Sequence, residues 1–125
     1  MLKVIFYKTE AGNEPALDFL RDLDPEDRKI VGADLRTVQI GWPLGMPLCR
    51  KLVKGIYEVR SDISDKRIVR LVFFQHEQNI IIVHGFIKKT QTTPDDVLKL
   101  SKKRKAEYEK IEEKLQKELK KQLLR

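Results

Sequence analysis

The segment Ile80-Ile81-Ile82-Val83-His84-Gly85-Phe86-Ile87-Lys88-Lys89-Thr90-Gln91-Thr92-Thr93-Pro94 decides how this chain is read. Four consecutive β-branched residues favour a strand, and a basic, threonine-rich continuation closed by proline ends it. A buried strand therefore delivers His84, Phe86, Lys88 and Lys89 to a surface. Two earlier segments repeat the design: Ile56 to Ile63 carries Arg60, and the more apolar Arg67 to Gln75 carries Arg70. Three sheet strands, each with a polar interruption, predict one face able to grip a phosphodiester backbone.

Working outward, the connections set the register. A hairpin turning through Ser64-Asp65-Lys66 pairs Tyr57 with Phe73, Val59 with Leu71 and Arg60 with Arg70; a shift by two would put Glu58 opposite Arg70 instead. A second hairpin, with Gln75 opposite Asn79, pairs Leu71 with Val83 and Arg70 with His84. The expected row is therefore Arg60, Arg70, His84. By strand alternation, Tyr57, Val59 and Ser61, then Val69, Leu71 and Phe73, then Ile81, Val83 and Ile87 form the expected core face. Facing arginines repel by a few tenths to about 1 kcal/mol unless acids or a bound anion screen them. Glu58 and Asp62 share their face, so a structural ion-pair patch on a half-exposed sheet is the competing reading.

Before these strands, residues 2 to 8 alternate as a first strand, and Asn13 is placed to cap a short helix from Glu14 to about Leu23 with Pro15 in its first turn. Asp24-Pro25-Glu26-Asp27 starts a second helix to about Ile40, stopped by Gly41-Trp42-Pro43. The two helices form a hairpin whose apolar stripe needs a sheet to cover. A loop marked by Pro43, Gly45 and Pro47 leads into Arg50, Lys51 and Lys54, read either as a solvated lead-in or as a nucleic-acid contact. From Pro94 a long helix begins, with Thr93 as its expected cap and Asp95 and Asp96 suited to its dipole. Val97, Leu100, Arg104, Tyr108, Ile111, Leu115 and Leu119 make a narrow stripe along it. Its first turns are expected to pack on the domain. Residues 109–125 read as an extension that docks on a partner helix or a second copy, or as a solvated tail.

The chain's 125 residues fit one domain, and its formal charge of +7 is uneven. Residues 1–48 hold six Lys/Arg against eight Asp/Glu, residues 49–94 nine against four, and residues 95–125 eleven against seven. Positive charge on the strands and last helix, with no apolar anchor beside it, favours nucleic acid over membrane as a partner. The single Cys49 fits a reducing compartment. Without a signal-peptide pattern, or an apolar run near the roughly 20 residues that span a bilayer, the expected location is cytoplasmic.

No glycine-rich phosphate loop or zinc-type cysteine pair occurs, and a hairpin separates His76 from His84. The residues point to chemistry needing neither metal nor other cofactor. RNA is cleaved when a base takes the 2′-hydroxyl proton, an acid protonates the leaving 5′ oxygen and cations stabilise the phosphorane between. Arg60 and Arg70 suit the last role and His84 the proton transfer, with Lys88 or Lys54 in electrostatic support. A lone strand histidine also reads as a structural residue.

Gly55-Ile56-Tyr57-Glu58-Val59-Arg60, Arg67-Ile68-Val69-Arg70 and His84-Gly85-Phe86-Ile87-Lys88-Lys89-Thr90 with Thr93-Pro94 resemble the RelE/ParE toxin superfamily, in its phage-derived HigB-like branch. The resemblance covers residues 2 to about 108. It implies a small α+β fold, β-α-α-β-β-β-α, with a curved antiparallel sheet packed on the N-terminal helical hairpin and a long C-terminal helix. It also implies the toxin of a type II toxin-antitoxin pair, many relatives being ribosome-dependent, metal-independent mRNA endoribonucleases. The implied partners are mRNA, the ribosome and a cognate antitoxin of helix-turn-helix type. Arg60 and Arg70 fall where such toxins keep basic residues for the phosphate, and His84, Lys88 and Lys89 match the branch signature. No tyrosine stands at the end of the last strand, where RelE itself uses one. Arg50, Lys51, Lys54, Phe86, Lys89, Lys102, Lys103 and Arg104 are the candidate RNA or ribosome contacts. A gyrase-inhibiting, non-enzymatic toxin of ParE type and a non-toxic nucleic-acid-binding accessory protein remain alternatives.

Overall fold

The computed structural model describes residues 1–87 and 93–125. The element order is β1 (Lys3–Phe6), α1 (Pro15–Arg21), α2 (Pro25–Gly41), β2 (Cys49–Val53), β3 (Ile56–Asp62), β4 (Ile68–His76), β5 (Asn79–Ile87) and α3 (Asp95–Leu123). One five-stranded sheet has the order β1-β5-β4-β3-β2. β1 runs parallel to β5, and every other neighbouring pair is antiparallel. The expected α+β architecture holds, with one more strand than expected. The Arg50-Lys51 lead-in is itself β2, bulged against β3 between Lys51 and Val53.

The sheet is covered on both faces, which explains why β4 and β5 are apolar in runs rather than in alternation. On one face Ala16, Leu20, Val31, Leu35 and Val38 of the helical hairpin pack against Val59, Val69, Leu71, Phe73, Ile80 and Ile82. On the other, Val97 and Tyr108 of α3 meet Ile56, Val72, Phe74, Ile81 and Val83. Ile81 and Val83 therefore face α3, not the helical hairpin as expected. The strand turns over through a bulge: Val72 pairs with His84 but Phe73 with Ile82, leaving Val83 as the extra residue. Beyond it Gly85 faces the hairpin so closely that a Cβ there would lie 2.6 Å from a Phe19 ring carbon.

Two polar anchors hold the layers together. Asp27, buried in the first turn of α2, accepts from the Ser64 amide at 3.1 Å, the Ser64 hydroxyl at 3.0 Å and Arg67 Nη2 at 2.9 Å. These bonds pin the β3–β4 turn to the helix and hold the Asp27 carboxyl below the usual range, the Ser64 amide contributing most. On the opposite face Tyr7 donates to Glu107 Oε2 at 2.5 Å, while the Arg104 guanidinium lies 5.3 Å from the Tyr7 ring centre. Burial and the Glu107 acceptor push the Tyr7 phenol up to about 12. Tyr108 completes the docking of α3, edge-on to Phe74 at 5.6 Å and to His76 at 5.4 Å.

The caps differ from expectation. Among the described residues no side chain caps α1, α2 or α3, and Asn13 instead donates its backbone N–H to Thr9 Oγ1. Thr93, expected to cap α3, points its hydroxyl into the sheet.

Candidate functional site

Two adjacent lines of residues cross the sheet on the face beneath α3. The first runs Arg50, Glu58, Val72, His84, and the second Arg60, Arg70, Phe86. Directly paired residues project to the same side, so Arg50, Glu58, Arg60, Arg70, His84 and Phe86 share one face. Arg60 pairs with Arg70 as the first hairpin predicts. His84 does not continue that row: β4 and β5 join through the two-residue turn Glu77-Gln78, His76 pairing with Asn79, and the bulge shifts the far half of β5 again. The residue opposite Arg70 is Phe86, and His84 sits one line away.

Charge on this face is organised around Glu58. Its side chain is fully buried; Oε1 lies 3.6 Å from Arg70 Nη1 and 4.0 Å from Arg60 Nε, and Oε2 accepts from the Thr93 hydroxyl at 3.0 Å. Arg70 is only 1% exposed. Burial lowers its pKa, an effect that Glu58 opposes and that Arg60 and Arg50 reinforce. The opposed arginines are thus held by a carboxylate between them, as the ion-pair reading foresaw, but in a buried setting rather than on a half-exposed sheet. Asp62 takes no part in that contact and is exposed.

Around this sealed pair the face opens. The Arg60 side chain retains 11% of its exposure, and Arg50, His84 and Phe86 are partly exposed. The His84 and Phe86 rings lie 5.6 Å apart. Burial first, and the Arg104 charge second, lower the His84 pKa below its usual 6.5, against a smaller opposing effect of Asp96. At neutral pH the imidazole is uncharged and competent to accept a proton. A guanidinium at Arg50 or Arg60 presents forked donors suited to phosphate oxygens.

The remaining candidates divide. Lys54, in the β2–β3 turn, shares a groove with Lys102 and Lys105. Lys105 is bonded to Glu109 at 3.0 Å and lies 5.5 Å from the Phe74 ring centre. Lys51 pairs with Tyr57 and so occupies the face opposite Arg50. Lys103 is exposed on α3. Arg104 turns inward, donating at 2.6 Å to the carbonyl of Val83, the bulged residue. Lys88 and Lys89 lie outside the described residues. Thr93 escaped the sequence reading because its position before Pro94 read as a cap.

A five-stranded sheet with a helical pair on one face, a long C-terminal helix on the other and a cluster of arginines between strands defines a RelE-like fold. The chain belongs to the family described as Phage derived protein Gp49-like (DUF891), whose model matches residues 18–106, from α1 into the first half of α3. This is a RelE/ParE-like toxin family of toxin-antitoxin systems, which implies a cognate antitoxin. No curated protein matches the chain. Among the described residues no helix is long and apolar enough to cross a membrane.

Proposed function

We propose that this toxin is an endoribonuclease that cuts mRNA on the ribosome, using the sheet face organised by Glu58. The observation that carries the reading is the convergence of Arg50, Arg60, His84 and Phe86 around the buried Glu58–Arg70 pair. In this reading His84 takes the proton from the 2′-hydroxyl, and the freed oxygen attacks the adjacent phosphorus. Arg60, with Arg50 beside it, stabilises the charge that builds on the non-bridging oxygens as the 5′ oxygen leaves and takes a proton from water. Phe86 offers a ring on which a base can stack. Arg70, first read as a phosphate ligand, becomes a positioning residue, because its guanidinium is engaged with Glu58 and covered. Lys54, Lys102 and Lys105 supply a separate basic surface for ribosomal RNA.

Induced expression followed by primer extension on cellular mRNA tests this. Cuts linked to codon position, lost in His84→Ala and Arg60→Ala chains that still fold, are the expected result. A DNA-damage response with intact mRNA would assign the protein to gyrase inhibition instead. A well-expressed chain without effect on growth or mRNA would leave an accessory nucleic-acid-binding role.

A further inference from the structure

The last turns of α3 carry an apolar stripe that the fold leaves uncovered. Ile111, Leu115 and Leu119 recur every four residues on one side of the helix and are 54%, 57% and 50% exposed. The stripe continues the line of Val97, Arg104 and Tyr108, which the sheet covers, so it faces the domain's own side; Tyr108 stacks at the end of β4, Ile111 still borders a groove beside β1, and Leu115 and Leu119 lie past it. From residue 109 to Leu123 the helix is exposed apart from Glu112.

We propose that this projecting segment pairs with the same segment of a second copy, antiparallel, about a two-fold axis beside Gln116. Three features of the chain single out that arrangement. Gln116 is the midpoint of residues 109 to 123, so inversion about it lays the whole projecting length of one copy on that of the other. It also places each domain just beyond the partner's helix end. A parallel pair would instead drive the partner's α3 through the space that the sheet already fills beneath Val97, Arg104 and Tyr108. Secondly, a repeat of four inverted about Gln116 sets each apolar side chain midway between two of the partner's. Leu115 enters between Leu115 and Leu119 of the other copy, the interleaving that close helix packing requires. Thirdly, the flanks are self-complementary under the same operation. In the frame of the stripe, Glu112 and Lys120 lie on one side of it and Lys114 and Glu118 on the other. Inversion about Gln116 carries Glu112 to Lys120 and Lys114 to Glu118, so each copy contributes both halves of two pairs of opposite sign. An unrelated partner would need none of this symmetry within one chain. The interface is isologous and closed. It does not depend on the proposed ribonuclease activity.

Sedimentation velocity on the full chain over a wide concentration range provides the test. A monomer–dimer equilibrium is expected, with Leu115→Glu raising the dissociation constant at least about 10-fold while circular dichroism, at a concentration where both chains are monomeric, stays that of the parent. Glu112→Lys should weaken the dimer, and the double variant Glu112→Lys/Lys120→Glu should restore it. Chains carrying Glu112→Cys mixed with chains carrying Lys120→Cys should form a mixed disulfide that neither forms alone. A monomer at every concentration, a dimer indifferent to Leu115→Glu, or Glu112→Cys chains that link to one another would each overturn the proposal. So would a monomer whose stripe is instead occupied by an antitoxin helix.

Discussion

Glu58 and Arg70, paired 3.6 Å apart and almost completely removed from solvent, form the centre of the candidate face. A buried pair of this kind adds little net stability compared with an apolar substitute, but removing one partner strands the other charge. Arg70→Ala and Glu58→Ala should each lower unfolding stability by about 3–5 kcal/mol. A double variant with apolar residues at both positions should recover much of that loss. Urea melts of the two single variants and the double variant check this. Equal, small losses in all three would mean that the pair is not buried.

The Asp27 contacts predict an acid-sensitive fold. The folded-state pKa lies below the unfolded value of 3.8, so the contribution of Asp27 is present above 3.8 and is lost as pH falls through the lower folded-state value. Thermal melts from pH 7 down to pH 3 should show the parent losing stability at the acid end. Asp27→Asn should start lower and lose less over the same range. The same slope in both chains would remove Asp27 from the account.

Gly85 and Leu71 test the packing of β5 against the helical hairpin. A Cβ at position 85 would stand 2.6 Å from Phe19 Cδ2 and 3.0 Å from Leu71 Cδ2. Gly85→Ala should therefore destabilise by about 1–3 kcal/mol through overpacking. Leu71→Ala should cost about 2–5 kcal/mol through the cavity it leaves. If the close approach is the cause, Gly85→Ala should cost less in a Phe19→Leu background, and equal costs in both backgrounds would discount it.

If His84 is the proton acceptor proposed above, it sets the pH profile of cleavage. Its pKa is lowered by burial and by the Arg104 charge, so cleavage should be level near pH 7 and fall only as pH drops below 6.5. Arg104→Gln removes one of the depressing influences and should move that acid limb upward, toward 6.5. The single-turnover cleavage rate against pH, with circular dichroism confirming that α3 stays docked, is the measurement. A limb that does not move would argue against His84 as the proton acceptor.

What the sequence makes legible follows from how local each signal is. Arg60 opposite Arg70 can be read because Ser64-Asp65-Lys66 marks its turn plainly, and the faces of β3 and β4 follow from it. The second hairpin cannot be read so. Its turn is Glu77-Gln78, with Glu77 in the left-handed region at φ 55°, a conformation that a glycine or asparagine would normally advertise. The Val83 bulge adds a shift that no residue type announces, and the two together move His84 off the arginine row. The burial of that row was visible only indirectly, in the apolar runs of β4 and β5. Strands greasy on both sides need a layer on each side, and the thin stripe of α3 supplies the second. Arg104, read both as part of that stripe and as an RNA contact, keeps the first place and donates to Val83.

Purified Arg60→Ala measured on programmed ribosomes tests the central claim most directly. The variant should melt like the parent and bind ribosomes through the Lys54 and Lys102 surface, yet cut mRNA there at least about 100-fold more slowly. A folded Arg60→Ala chain that cleaves at the parent rate would show that the face built around Glu58 is not where the chemistry occurs.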